Sequence, residues 1–568
     1  MTQTPKRPKR SPSYLANASF NVKLHPLGVK PAGNALFDND IGVLRKSRER
    51  SLGKLANLEE STLMRIIELL DTPSDLKTFG HVSKFLYAYT YDEELWRNIY
   101  VKEFQRIEES QISSRRPAPY GCDKWRGSWR KTLLKLNSEA HITVKNQLYS
   151  DVLFRPYQCS QVNYELLFKN VIDVESKSSQ LCSNVNLDFG IERFDEDSLT
   201  NAEFESRLIN KPFILKSSKT ARWPAWDISD LVGRYGDVEF RQEAIKWDLK
   251  TYADYFKCNR DESPLYLFDC NSPAIKKIKT EYKAPKLFQK DLFHLFQEGE
   301  VKCRPDHRWL IVGPAGSGST FHKDPNYTSA WNTVLCGMKL WVMLPPHVKP
   351  PGVSTDKSEE EVTCPVGVAE WVISGYYNDT VKLAQQGDCV IGVTFPGECI
   401  YVPSGWWHMV INITDSVALT ENFVPPAILP RVLHFFKNRQ AQLSGFHLRD
   451  VVESLNAFLK NATSLDISVE NLSKLRNLSK QAQNERLENS DCGLSSNSCK
   501  SFPLYEFFVE LIRNSKYAQY LQDAVLECVK IETEERQQRE KTVKRSETWD
   551  DLVSEQNNGF SFAFGVEE

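Results

Sequence analysis

A histidine and a carboxylate stand two positions apart in the segment 321–324, which reads Phe-His-Lys-Asp. On an extended chain, side chains two positions apart project to the same face. His322 and Asp324 would therefore point together, one with an imidazole nitrogen and the other with a carboxylate oxygen. This pair is a candidate for two of the ligands of a metal ion.

The best candidate for a third ligand is His408, which opens the alternating run His-Met-Val-Ile-Asn-Ile at 408–413. Two imidazoles and one carboxylate leave the remaining positions of an octahedral ferrous ion open. An oxygenase needs those positions for a bidentate 2-oxo acid and for O₂. The alternative is a structural pair at His322 and Asp324, with His408 as a hydrogen-bonded core residue. Each residue alone favours that alternative, whereas the three together favour a metal site.

Lys339 interrupts an otherwise apolar run, Met-Lys-Leu-Trp-Val-Met, at 338–343. A buried ammonium is costly without an anionic partner, and the distal carboxylate of 2-oxoglutarate would supply one. The alternative is an edge-strand lysine whose ammonium reaches water. Small polar side chains lie on the same run of strands, and the last two of them share a face by alternation: Thr328, Asn332, Thr420 and Asn422.

The segment 313–320, Gly-Pro-Ala-Gly-Ser-Gly-Ser-Thr, has the glycine content of a phosphate-binding loop. It lacks the lysine that precedes the Ser/Thr in such loops, and strand rather than helix signals follow it. We therefore exclude nucleotide binding. The glycines are better explained as a tight turn into the strand that carries His322.

The elements that must position these residues lie in 184–425, where the β signal is densest. Short runs rich in Val, Ile, Trp and Thr alternate with glycine and proline, which is typical of a sandwich or a jelly-roll barrel. We expect the helical segments before Cys258 to pack outside this barrel. The predicted strands include 309–312, 339–344, 389–391, 399–402 and 417–420.

A unit of three small helices is predicted over 51–100. An apolar stripe indicates the first helix, Pro73 ends it, a second helix starts near Ser74, and a third segment ends at Trp96. The stripe of the first helix consists of Leu63, Ile66, Ile67 and Leu70, and the inward residues expected for the second are Leu76, Phe79 and Val82.

The remaining segments have simpler compositions. Residues 1–50 are rich in Pro, Ser, Lys and Arg and are predicted to be a disordered basic tail. The tract Pro-Lys-Arg-Pro-Lys-Arg at 5–10 is either a nuclear localisation signal or a solvated tail. Residues 101–183 are predicted to be a connector and 546–568 a tail. Helices are predicted in 426–545, at 427–440, 447–460, 503–515 and 518–540.

Composition sets the broad class. The chain has 568 residues, of which 41% are hydrophobic and 26% charged, with a formal net charge of -2. Such values are ordinary for a soluble globular protein of several domains, and they demand neither a membrane nor nucleic acid as a partner. The 13 cysteines include no CxxC pair, so we expect reduced thiols rather than zinc sites or disulfides.

The strand segments resemble the JmjC oxygenase family, in the branch of phosphatidylserine-receptor-like arginine demethylases and lysyl-hydroxylases. The motifs that carry the resemblance lie at 211–215, 261–269, 308–314, 318–325, 328–332, 337–341, 402–408 and 420–423. The resemblance implies an α+β chain with a double-stranded β-helix (jelly-roll or cupin) core at 184–425.

The same resemblance implies the chemistry. Fe(II) would be bound by His322, Asp324 and His408. The co-substrate 2-oxoglutarate would be contacted by Asn332, Lys339 and Thr420, with Asn422 beside them and Ser319 where this branch often carries a threonine. With O₂, such an enzyme hydroxylates protein side chains or demethylates arginine or lysine. The expected substrate is a histone or another nuclear protein.

The segment 57–96 resembles an F-box, although the Leu-Pro that commonly opens one is replaced by Leu58-Glu59. This implies a Skp-type adaptor and a cullin ligase as partners, and a plain helical subdomain is the alternative. A second functional hypothesis is therefore a ubiquitin-ligase substrate receptor whose barrel only binds a target. A third is hydroxylation of tRNA or a small molecule, which the near-neutral charge disfavours. We expect a nuclear location, with a cytoplasmic one left open.

Overall fold

The structure is a computed structural model that describes residues 27–30, 41–113, 124–137, 148–155, 158–181, 190–217, 222–356, 362–364, 366–460, 466–490 and 503–556. The chain divides into two compact units. The first comprises residues 1–286, 307–323 and 330–422, and the second comprises 287–306, 324–329 and 423–568.

The strands are short and most of them lie in the middle of the chain. They are β1 (Val29–Lys30), β2 (Leu148–Tyr149), β3 (Glu192–Asp195), β4 (Phe213–Lys216), β5 (Glu239–Gln242), β6 (Ile245–Asp248), β7 (Leu267–Asp269), β8 (Arg308–Gly313), β9 (Gly318–His322), β10 (Ser329–Cys336), β11 (Lys339–Leu344), β12 (Ser354–Thr355), β13 (Val362–Thr363), β14 (Val390–Thr394), β15 (Cys399–Val402), β16 (Trp407–Asn412) and β17 (Ser416–Phe423).

Helices lie before, between and after the strands in the sequence. They are α1 (Ile41–Leu52), α2 (Glu60–Glu68), α3 (Pro73–Gly80), α4 (Lys84–Thr90), α5 (Glu93–Ser113), α6 (Trp129–Leu133), α7 (Tyr164–Leu167), α8 (Lys169–Leu181), α9 (Asn201–Glu203), α10 (Ile228–Tyr235), α11 (Leu249–Cys258), α12 (Pro273–Ile278), α13 (Val368–Ile373), α14 (Tyr376–Gln386), α15 (Leu429–Asn438), α16 (Leu448–Lys460), α17 (Val469–Ser490), α18 (Leu504–Arg513) and α19 (Leu521–Gln556).

Two sheets form the core of the first unit. One has nine strands in the order β3-β4-β15-β10-β17-β8-β7-β5-β6, and the other has four in the order β14-β11-β16-β9. Apolar side chains from both sheets meet in one buried cluster, which shows that the sheets pack face to face. This confirms the predicted α+β class with a double-stranded β-helix. The cluster contains Ile191, Ile214, Ala330, Trp341, Met343, Ile400, Val402 and Val410.

An aromatic cluster braces the helical segments against the first unit's sheets. Trp129 stands at the start of α6, and its indole Nε1 donates to the carboxylate of Asp261, 3.0 and 2.9 Å from the two oxygens. The rings of Trp125 and Trp247 lie 5.1 and 5.6 Å from that of Trp129. Burial of large rings with a satisfied N–H makes this a rigid connection. It gives a physical role to part of the predicted connector 101–183.

The N-terminal helical unit has more helices than predicted, because α4 and the long α5 follow α2 and α3. Leu63, Ile67 and Leu76 are fully buried, as their spacing predicted, but Ile66 of the predicted stripe is 39% exposed. The inward position predicted for Val82 is wrong: its side chain is 71% exposed. Val82 lies in the turn between α3 and α4, so the helical period that was extrapolated to it does not apply.

Two predicted boundaries differ from the structure, and one helix was not predicted. The disordered tail predicted over 1–50 is wrong for 41–50, which belong to α1; Arg48 donates to Ala56 O at 3.0 Å and Leu58 O at 2.7 Å and so ties α1 to the next turn. The helix α17 was not predicted. The tail predicted from 546 is wrong up to Gln556, where α19 ends. The basic tract at 5–10 lies outside the described residues.

The second unit is helical around a core of phenylalanines. The ring of Phe296 lies 4.8 Å from Phe508 and 5.1 Å from Phe446, and Phe436 lies 5.8 Å from Phe446. These contacts join α15, α18 and the loop before α16. Among the described residues, no helix has the length and apolar character needed to cross a bilayer.

Candidate metal centre

The pairing of two strands places the two predicted histidine ligands side by side. β9 and β16 are antiparallel, and the Cα partner of His408 is His322. Directly opposed residues project to the same face of a sheet. The two imidazole rings accordingly lie with their centroids 4.2 Å apart.

Asp324 completes the group from just beyond the end of β9. Its backbone is extended, with φ -62° and ψ 143°, and it precedes the short 3-10 turn Pro325–Tyr327. The extended backbone returns its carboxylate to the side on which His322 points. The candidate ligand atoms of His322, Asp324 and His408 all lie within 4.8 Å of one another. The structure therefore brings the three predicted ligands together.

Backbone carbonyls determine which nitrogen each imidazole offers. Nδ1 of His322 lies 2.8 Å from Thr320 O, and Nδ1 of His408 lies 3.2 Å from Trp406 O. A carbonyl oxygen only accepts, so each Nδ1 carries the proton and each neutral ring has its lone pair on Nε2. Second contacts of this kind orient histidine ligands in metal sites. With one carboxylate beside them, the donors fit Fe(II) with open coordination positions.

A glycine allows the two histidine strands to approach. A Cβ placed on Gly318 would lie 2.0 Å from the carbonyl oxygen of Val410. The register of β9 on β16 also shifts between His408 and Val410, which is a β-bulge next to the candidate metal ligands. The glycine-rich loop thus ends in a strand and not in a helix, in agreement with the exclusion of a phosphate-binding loop.

Strand register also relates Lys339 to the metal ligands. On β11, Met343 pairs with His408 and Lys339 pairs with Asn412, so Lys339 and His408 project from the same face of the small sheet. They are separated by four residues along the strand, about 13 Å at 3.3 Å per residue. A lysine side chain and a dicarboxylate chelated at the metal can together bridge that distance.

Lys339 is fully buried on a central strand, between β14 and β16. The alternative of an edge-strand lysine reaching water is therefore wrong. Its Nζ donates to Asn412 Oδ1 at 2.6 Å and to Tyr266 Oη at 3.0 Å, both neutral groups. Burial lowers the pKa of the Lys339 ammonium to about 7. The distal carboxylate of 2-oxoglutarate would supply the countercharge that this ammonium needs, so the site fits that co-substrate.

The other predicted co-substrate residues lie on the strands of the same barrel. Asn332 is buried, and its Oδ1 accepts no hydrogen bond within the part of the chain that the structure describes. Thr420 is buried on β17, where its Oγ1 donates to Trp331 O at 2.6 Å. Asn422 is buried two residues further along β17, and Ser319 is partly buried opposite Val410. A buried acceptor without a partner needs a physical explanation, and a polar group of a bound co-substrate would supply the missing donor to Asn332 Oδ1.

Thr328, which the sequence also offered, has a local role. Its Oγ1 donates to Pro325 O at 2.9 Å and closes the turn after Asp324. Conversely, the sequence reasoning missed Tyr266 and Asn412, which hold the Lys339 ammonium. Asn412 could have been found, because it is a polar residue in the apolar run 408–413. Tyr266 has no such signal, since it is joined to Lys339 only by the folding of distant strands.

An aromatic pair lies beside Thr420 on the large sheet. Trp309 on β8 is the Cα partner of Thr420, and its ring stacks on Phe268 with 5.4 Å between centroids. Trp309 packs on the cluster that contains Tyr266, and the Phe268 side chain is 41% exposed. The pair therefore packs at one end on the cluster of Tyr266 and is open to solvent at the other, at Phe268.

Comparison of the sequence with known proteins identifies relatives whose names describe iron- and 2-oxoglutarate-dependent oxygenases and demethylases. The JmjC domain model, described as a hydroxylase, matches residues 309–423. The chain is 33% identical over 481 residues, 81% of its length and 86% of the relative's, to the Arabidopsis thaliana protein named Arginine-specific demethylase JMJ22. It is 36% identical over 251 residues to the Caenorhabditis elegans protein named Bifunctional arginine demethylase and lysyl-hydroxylase psr-1, covering 41% and 61% of the two chains.

A third relative is the mouse protein named 2-oxoglutarate and iron-dependent oxygenase JMJD4. The identity is 29% over 265 residues, which cover 40% of this chain and 59% of the relative. The similarity to JMJ22 extends well beyond the barrel, whereas the similarity to the other two is confined to about two fifths of the chain.

Proposed function

The chain belongs to the JmjC family of iron- and 2-oxoglutarate-dependent oxygenases, and on that basis we propose that it oxidises arginine or lysine side chains of proteins at the centre formed by His322, Asp324 and His408. The observation that carries the proposal is the convergence of these three donors, with Nδ1 of each imidazole facing a backbone carbonyl oxygen and Nε2 left for a metal. The names of the relatives support arginine and lysine as substrate residues.

When bound, iron and 2-oxoglutarate supply the oxidative decarboxylation of the co-substrate that is coupled to hydroxylation of a substrate C–H bond by O₂. The protein's own residues bind and orient. Lys339 would pair with the distal carboxylate of the co-substrate, while Tyr266 and Asn412 hold its ammonium in place. Asn332 and Thr420 offer polar groups on the facing sheet. The apolar walls of the barrel exclude water from the co-substrate.

The position of the oxidised carbon decides the product. Hydroxylation of an N-methyl carbon gives an N-hydroxymethyl group, which releases formaldehyde and leaves the demethylated nitrogen. Hydroxylation of a side-chain methylene gives a stable alcohol. Both products come from the same metal site, so the substrate pose and not the ligand set selects between them.

Mass spectrometry of candidate peptides separates the two. Histone and other nuclear-protein peptides, with and without methylated arginine or lysine, are incubated with the full chain, Fe(II), ascorbate and 2-oxoglutarate. We expect the gain of one oxygen or the loss of one methyl group, with matching succinate release, and no change with Asp324→Ala. Peptide turnover that persists in the Asp324→Ala protein would contradict the assignment of the metal site.

The stacked pair Phe268–Trp309 supports a cationic, planar substrate group. Aromatic faces attract cations, and a guanidinium stacks on them better than an ammonium does. We expect Phe268→Ala to raise KM for an arginine peptide, while peptide-independent decarboxylation of 2-oxoglutarate stays at the wild-type rate. An unchanged KM would exclude the pair from substrate binding.

For the N-terminal helical unit, we propose that it docks a Skp-type adaptor of a cullin ligase in addition to the oxygenase chemistry. Support comes from its resemblance to an F-box and from three exposed apolar side chains, Ile66, Leu69 and Val82, of which Leu69 is 79% exposed. Purified adaptor should bind the wild-type chain and bind Leu69→Asp more weakly, with Lys77→Ala as the exposed polar control. Absence of adaptor binding by the wild type would contradict this role.

We also propose a nuclear location, supported by the basic tract at 5–10. Replacement of its four basic residues by alanine should shift a fluorescent fusion of the full chain toward the cytoplasm. An unchanged distribution would show that the tract is not the signal.

A further inference from the structure

The turn after the metal-binding carboxylate has an unusual backbone. Asn326 and Tyr327 have φ angles of 56° and 59°, both in the left-handed region, and neither is glycine. This region costs free energy for a residue with a Cβ, although asparagine tolerates it better than most. Two such residues in succession persist only where neighbouring contacts fix them.

The Asn326 side chain provides the first of these contacts. It is buried; its Nδ2 donates to Ser444 O at 2.8 Å, and its Oδ1 accepts from Ser444 N at 2.9 Å. One amide thus satisfies both backbone groups of a single residue in a distant loop. Among side chains, only an amide offers a donor and an acceptor in this arrangement.

The loop that receives Asn326 is itself anchored. Phe446, two residues after Ser444, is buried with its ring 5.1 Å from Phe296 and 5.8 Å from Phe436. These rings belong to the phenylalanine core of the second unit. Because close-packed aromatic cores deform little, the Ser444 loop is a fixed point of attachment.

A second contact holds the neighbouring residue of the turn. The Tyr327 ring lies 6.1 Å from that of Phe435 on α15, and Arg431 on the same helix donates to Tyr327 Oη at 3.4 Å. The turn is therefore attached at both of its left-handed residues, once to the Ser444 loop and once to α15.

We propose that Asn326 is a positioning residue for the metal site: by clamping the turn to the Ser444 loop, it sets the direction of the Asp324 carboxylate. Asp324 is the residue immediately before this turn, so its backbone orientation follows from the turn's conformation. The inference rests on the proposed metal-binding role of Asp324. It assigns a part in the metal site to residues 430–446, which the JmjC domain match at 309–423 does not include.

Metal binding by the metal-free full chain tests the clamp. Co(II) is titrated and followed by calorimetry and by its visible absorption, which reports the ligand geometry. Loss of a group that orients a metal ligand typically costs about 10- to 100-fold in metal affinity. We expect that loss, with an altered Co(II) spectrum, in Asn326→Gly. Glycine adopts the left-handed backbone without strain, so thermal unfolding of the metal-free variant should stay near that of the wild type.

Asn326→Ala removes the clamp and adds backbone strain, so its Co(II) affinity should fall at least as far. Ser444→Ala is the matched control, because Asn326 uses only the backbone of Ser444, and it should bind Co(II) as the wild type does. Wild-type affinity and spectrum in Asn326→Gly would overturn the inference. His408→Ala distinguishes a wrong clamp from a wrong metal site. If His408→Ala still binds Co(II) as tightly as the wild type, the assignment of the metal ligands is wrong.

Discussion

The ionisation of Lys339 should govern how tightly 2-oxoglutarate binds. Burial lowers the pKa of this ammonium to about 7 in the ligand-free protein. The distal carboxylate requires the protonated form, so the fraction of protein that can bind falls as pH rises through 7. With a pKa of about 7, that fraction drops about 25-fold between pH 6.5 and 8.5, and the apparent Kd rises by the same factor.

Calorimetric titration of the Mn(II)-loaded chain under nitrogen measures this Kd without turnover. Repeated in buffers of different ionisation enthalpy, it should also show proton uptake, close to one proton per 2-oxoglutarate bound above pH 8. Lys339→Arg is the matched control, because a guanidinium does not titrate in this range. The Kd of 2-oxoglutarate for Lys339→Arg should keep any pH dependence that comes from the metal and should lose the part that comes from Lys339.

The same group should affect stability with a defined sign. The pKa of Lys339 in the folded protein lies below the usual lysine value of 10.5, so the unfolded chain binds the extra proton between pH 7 and 10.5. The contribution of Lys339 to the stability of ligand-free protein should therefore rise with pH across that window, and saturating 2-oxoglutarate should remove this dependence. A Kd that is flat from pH 6.5 to 8.5, or an equal slope in Lys339→Arg, would refute the assignment of this lysine.

Three further outcomes are expected. Asp324→Ala should lower succinate release in the presence of substrate at least 100-fold, on the order of the loss expected when a ligand of a catalytic metal is removed. Its far-UV circular dichroism spectrum should stay as in the wild type. Gly318→Ala should destabilise the protein by about 1–3 kcal/mol in urea unfolding, because its methyl group meets a carbonyl of the neighbouring strand, whereas Gly233→Ala has open space and should not. Arg193→Ala should lower the free energy of unfolding by about 3–5 kcal/mol, since it leaves two buried carboxylates, those of Glu175 and Glu398, without their cation; Arg449→Ala, at an exposed ion pair, should have little effect.

The sequence revealed site residues whose polarity differs from that of their neighbours, or whose spacing places two ligand types on one face. Lys339 is a charge in an apolar strand, and His322 and Asp324 share a face by strand alternation, so each could be identified without a structure. Tyr266 could not, because its link to Lys339 depends on the order of strands in two sheets. Sequence patterns constrain which face a residue occupies, but not which distant strand lies opposite.

The helical parts were predicted less completely for a related reason. The α1 helix has no apolar period and is held by Arg48, which donates to carbonyls of the following turn. Val82 continued an apolar period but lies beyond the end of its helix. In the first case a side-chain contact holds a helix, and in the second the helix ends before the apolar period does. Apolar periodicity in the sequence predicts neither the contact nor the end of the helix.

The three metal ligands are held in place by two different devices, and they should fail differently. The histidines are fixed by backbone pairing of β9 with β16, and a slip of one residue would turn a ring to the opposite face. A substitution that disturbs this pairing, such as Gly318→Ala, should therefore divide the protein into two populations. In one population the metal site is intact, and in the other it is lost. Asp324 is fixed by a side-chain clamp on a turn, which can loosen by degrees. Substitutions at Asn326 should instead yield a single population whose metal affinity is reduced, and Co(II) spectra distinguish a mixture of native and ligand-free sites from one uniformly altered site.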